Sequence, residues 1–114
     1  MNSLTDRQIE AANLLGENLK HPRIGAVLGL VEELGELVKE VMEAEIYNQD
    51  RPELRERMSD EVADVLFSLF EVCTAYNINL EQAYERKLEK IQGKIPKWTQ
   101  LYSAGLKITR SRFD

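Results

Sequence analysis

Between Val27 and Val41 the apolar residues fall at helical spacing. Val27, Leu30, Val31, Leu34, Leu37, Val38 and Val41 repeat at i, i+3, i+4 and i+7, which is the stripe of a helix that buries one side. The spacing predicts a helix over roughly residues 24–45. A second such run predicts a helix that starts between Pro52 and Asp60 and ends at Tyr76. There Met58, Val62, Val65, Leu69, Val72 and Tyr76 share a face, and Leu66, Phe67 and Phe70 carry apolar character to the other side. A helix apolar on both sides needs partners on both sides. Four short helices cannot supply them, so Phe67 and Phe70 are expected to meet another subunit.

The flanking segments read as two more helices. Thr5 and Gln8 suggest a capping box for a helix reaching about Leu19, which His21-Pro22-Arg23 breaks. The Asn48–Pro52 stretch reads as a loop. Asn79 and Gln82 open a fourth helix with Leu80, Ala83, Tyr84, Leu88 and Ile91 on one side, and Gly93 and Pro96 are expected to end it. Trp98, Leu101, Tyr102, Leu106, Ile108 and Phe113 can dock but do not define a helix. The expected fold is an all-α bundle of about four main helices in one domain, residues 1–114. Its core covers about 21–98, and 99–114 is left unassigned.

Charge is divided unevenly. Residues up to 85 hold 7 Lys and Arg against 18 Asp and Glu, and those from 86 on hold 8 against 2. An acidic body with a basic tail is unlike a duplex-DNA binder. It suits carboxylates for a cation and ammonium groups for phosphates, or else a solvated acidic surface with a basic end. No apolar run is long enough to span a membrane. The start has no signal-peptide pattern, and the one cysteine, Cys73, gives no disulfide framework. The expectation is a cytoplasmic protein.

Two carboxylate patterns stand out: Glu32-Glu33-Leu34-Gly35-Glu36, and Glu61-Val62-Ala63-Asp64. Residues three apart on a helix are neighbours, so Glu33 can meet Glu36 and Glu61 can meet Asp64. Each pair borders its helix's apolar stripe. If the two helices pack antiparallel, up to four carboxylates face one small volume and need protons or cations between them. Oxygen-only ligands select Mg²⁺ or Mn²⁺. Alternatively, the glutamates are a solvated helix face, and Glu61 and Asp64 serve a helix N-terminus. Gly35 costs its helix about 1 kcal/mol relative to Ala, which a close approach by a helix or ligand would explain. His21 reads as a loop or cap residue, Cys73 as core, Trp98 as packing for the C-terminal segment, and Tyr47, Tyr76 and Tyr84 as core or interface. A di-iron bundle needs histidines at ExxH spacing, and His21 is not so placed.

The pattern EExxE, a gap over residues 37–60, then ExxD resembles the MazG-like all-α nucleoside triphosphate pyrophosphohydrolases from about His21 to Trp98. The superfamily also holds dimeric dUTPases and phosphoribosyl-ATP pyrophosphatases. The resemblance implies a dimer or tetramer, and Mg²⁺ held by Glu33, Glu36, Glu61 and Asp64. It also implies water attack on the α-phosphorus of a nucleoside triphosphate, giving the monophosphate and pyrophosphate. Glu32 is the candidate for orienting water or aiding a second metal, or else it makes a salt bridge. Among the basic residues after the fourth helix begins, Lys87 and then Lys94 are the candidate phosphate contacts. An asparagine often seen before such a lysine is absent, since Glu85-Arg86 precede Lys87. The expected role is nucleotide pool control or house-cleaning. Phosphoribosyl-ATP pyrophosphatase and a non-catalytic helical module are the alternatives.

Overall fold

A computed structural model describes residues 3–47 and 51–113. Among these residues there are four α-helices, one π-helical segment and no strand: α1 (Leu4–Leu15), α2 (Arg23–Met42), the π segment (Glu43–Tyr47), α3 (Pro52–Ala75) and α4 (Leu80–Phe113). The chain divides into two compact units, residues 1–81 and 82–114.

In the first unit α3 is the hub, with both α2 and α1 packed on it. Helices α2 and α3 run antiparallel, as shown by the Arg57–Glu40 ion pair near the end of α2 and the start of α3. Pro52 stands in the first turn of α3, where its missing N–H is no loss. Leu54, Phe70 and Cys73 of α3 are buried with Ala11, Ala26 and Ala44. The alanines let the helix backbones approach closely.

Helix α1 begins earlier than Thr5 and Gln8 suggested. Ser3 is the cap, its hydroxyl accepting from the Asp6 N–H while Asp6 accepts from the Ser3 N–H. Thr5 and Gln8 tie α1 to the α3–α4 turn instead. The Thr5 hydroxyl donates to Glu81, and Gln8 donates to the Ile78 carbonyl and accepts from the Leu80 N–H. Glu81 also accepts the otherwise unpaired N–H of Leu4. The helix ends at Leu15 rather than Leu19, because Gly16 takes φ 62° and its N–H closes on the Ala12 carbonyl.

Phe70 is not left for a second subunit, because the chain itself buries it. Phe70 is 5% exposed and Phe67 half-buried. Helix α1 covers this half of α3, its Ala11, Ala12 and Leu15 sharing a cavity wall with Thr74 and Ala75. The exposed apolar side lies elsewhere. On α2 it comprises Ile24, Leu28, Val31, Leu34 and Val38, with Leu28 at 61% and Val31 at 60%; on α3 it comprises Val62 and Leu66. Helix α2 is thus apolar on the side that packs against α3 and on a second, open side. Val27, Leu30 and Leu37 are half-buried, and the rest of its stripe is open. Cys73 is core as expected, and burial pushes its thiol up. Tyr47, Tyr76 and Tyr84 are exposed rather than core.

The second unit is one helix, the continuation of α4. Gly93 and Pro96 do not end it. A proline withdraws one donor and crowds one carbonyl, and the flanking Lys94, Lys97, Gln100 and Leu101 favour the helix. Trp98, Leu101, Tyr102 and Leu106 line one side, all exposed, and Lys94 stands 6.0 Å from the Trp98 ring centre. Asn48, Gln49 and Asp50 of the expected loop lie outside the described residues.

Candidate metal centre

The antiparallel pairing of α2 and α3 decides which carboxylates meet. Glu33 stands near the middle of α2, and Glu61 and Asp64 stand one turn apart on α3. One oxygen from each of the three falls within 4.8 Å of the others. Glu33 and Glu61 are half-buried and Asp64 is exposed. Glu36 is exposed and outside this trio, but its charge reaches both Glu33 and Glu61. Glu32, also exposed, adds its charge to Glu33. Lys87 and Lys94 are exposed on α4 in the second unit. A Cβ at Gly35 would meet nothing within 4 Å, so no close approach among the described residues requires that glycine.

Burial raises the carboxyls of Glu33 and Glu61 above the usual 4.5, and the charge of Asp64 raises both further. Glu32 and Glu36 add to the effect at Glu33, and Glu33, Glu36 and Glu40 add to it at Glu61. Such repulsion is what a bound cation relieves. The donor set, three anionic oxygens at a half-open site, fits a hard divalent ion that keeps waters and accepts phosphate oxygens.

One carboxylate here escaped the sequence reading. Glu40 lies seven residues after Glu33, so it projects from the same side of α2. Its Oε2 is buried, 3.4 Å from Arg57 Nε, without an aligned hydrogen bond. The period-seven repeat Glu33, Glu40 was the available signal.

The raised values have a consequence for stability. A folded-state carboxyl that holds its proton longer than the unfolded one favours folding at low pH. That contribution is lost as pH rises from about 4.5 through the raised values. Cation-free protein should therefore lose thermal stability over this range more steeply than Glu61→Gln, and Mg²⁺ should restore the wild type above it. Melting curves that fall in parallel for the two proteins would contradict this.

The family model for the MazG nucleotide pyrophosphohydrolase domain matches residues 24–99, more than half of the chain, so the protein belongs to that family. The match spans α2, α3 and the first part of α4, and with them every carboxylate of the site. No curated protein matches the chain.

Proposed function

We propose that the protein hydrolyses a nucleoside triphosphate to its monophosphate and pyrophosphate with Mg²⁺, or Mn²⁺ in its place, in a role of nucleotide pool control or house-cleaning. The observation that carries this reading is the meeting of Glu33, Glu61 and Asp64 in a chain of the MazG family.

Glu33, Glu61 and Asp64 would hold the cation, with Glu36 completing the set from the next turn of α2. When bound, the cation supplies charge neutralisation for the triphosphate and a site for ordered water. Glu32, exposed beside Glu33 and acting on its charge, is the candidate to orient or deprotonate the attacking water. Lys87 and Lys94 are the candidate partners of the phosphate tail, as compact ammonium charges.

The functional form we propose is a homodimer or homotetramer. The open apolar side formed by Leu28, Val31, Leu34, Val38 and Leu66 is the kind of surface a monomer seldom leaves wet. No helix is long and apolar enough to cross a membrane among the described residues, and we place the protein in the cytoplasm, acting on free nucleotides rather than on duplex nucleic acid.

A pyrophosphate-release screen over canonical and modified nucleoside triphosphates with Mg²⁺ tests this reading. At least one substrate should release pyrophosphate in a cation-dependent way. Release from phosphoribosyl-ATP alone would move the protein to the histidine pathway, and no release from any substrate would leave a binding module.

A further inference from the structure

A cavity of about 290 Å³ lies between α1, the α1–α2 loop, the start of α2 and the end of α3. Its walls are mostly small and apolar, among them Ala12, Leu15 and Ala26. Its polar edge carries Glu71, Thr74 and His21, and Asn13, Glu17 and Lys20 from the end of α1 and the α1–α2 loop line it as well. The Glu71 side chain is 17% exposed, and its Oε2 lies 2.9 Å from His21 Nδ1. An ionised carboxylate can only accept, so His21 Nδ1 donates. That bond fixes the carboxylate's orientation.

The register of α2 against α3 ties this cavity to the carboxylate trio. Glu40 pairs with Arg57. Seven residues back along α2 and seven forward along α3, Glu33 meets Asp64. A further seven in each direction gives Ala26 and Glu71, both lining the cavity. Seven residues are nearly two helical turns, so each step keeps the same side and advances about 10 Å. Cavity and trio thus lie along one α2–α3 seam, about 10 Å apart, on the order of the reach of a nucleotide from its α-phosphorus to its base.

We propose that this cavity receives the nucleobase and that Glu71 is a specificity-determining residue selecting bases with an exocyclic amino group. The inference rests on the nucleotide-hydrolysis reading of the trio. The alanine walls leave room for a flat ring, and the fixed carboxylate at the edge accepts from ring donors. Cytosine, adenine and guanine each present an amino group to such an acceptor. Uracil and thymine present one N–H flanked by carbonyl oxygens, which a carboxylate repels. A buried polar group left unpaired, or set against a like charge, is what gives a site discrimination.

Calorimetric binding of dCMP and dUMP with Mg²⁺ tests this, because the two differ in the amino group and not in size. The wild type should bind dCMP about tenfold or more tightly than dUMP. Glu71→Gln, which offers a donor as well as an acceptor, should bring the ratio near one while leaving the helical signal intact. Ala12→Leu, which narrows the cavity, should weaken both ligands together. Equal affinities in the wild type, or a ratio that Glu71→Gln leaves unchanged, would overturn the proposal. Turnover of dCTP, measured in parallel, reports on hydrolysis separately: an active enzyme that binds dCMP and dUMP alike refutes the role of Glu71 and spares the trio.

Discussion

Glu61→Gln should lower kcat by about 100-fold or more while the helical spectrum and oligomeric state stay as in the wild type. Glu61 would help hold the cation, and losing one preorganised electrostatic element of an active site costs on the order of 100 to 1000-fold. Glu61 is the carboxylate on which most neighbouring charge converges, with Asp64, Glu33, Glu36 and Glu40 all acting on it. The amide keeps the size of the side chain and removes the charge, so folding is not the variable. The substitution should also weaken Mg²⁺ binding, read by calorimetry. Near-normal turnover in Glu61→Gln would remove the trio from the chemistry.

The second large effect concerns assembly. Leu28→Asp combined with Val31→Asp should dissociate the oligomer we propose, raising its dissociation constant by more than about 100-fold. Burying each of these side chains contributes about 1.5–3 kcal/mol, and a charge in an apolar interface adds a desolvation cost. Both residues are mostly exposed in the single chain, so the helices themselves should survive. Sedimentation of the wild type should show an even-numbered oligomer at micromolar concentration. A stable and fully active wild-type monomer there would rule the interface out. Phe70→Asp tests something else, because Phe70 sits in the core of the chain and its loss would damage folding.

The physical reasons why some of this was legible in the sequence are local. Pro22 and Pro52 punctuate the chain where α2 and α3 start, and the apolar spacing of those helices is strong enough to place both. The three-residue step that pairs Glu61 with Asp64 is likewise a property of one helix. What failed depended on competition between near-equal signals or on tertiary contacts. Ser3-x-x-Asp6 and Thr5-x-x-Gln8 both look like caps two residues apart, and only the demands of the α3–α4 turn on Thr5 and Gln8 decide between them. Pro96 reads as a stop because its cost is local, whereas the helix formers on both sides act together. The side of α3 that is wet depends on where α1 lands, which no periodicity within α3 encodes. The cavity beside Glu71 was illegible for the same reason. Its alanines carry no signal until three helices bring them together. Convergence of Glu33 with the α3 carboxylates rested on the antiparallel packing, which the Arg57–Glu40 pair marks.

The most direct measurement is hydrolysis of the best nucleoside triphosphate in water enriched in heavy oxygen, with mass analysis of both products. Attack on the α-phosphorus puts the label in the nucleoside monophosphate and none in the pyrophosphate, which is the result expected here. Label in the pyrophosphate, or products that are a nucleoside diphosphate and orthophosphate, would contradict it.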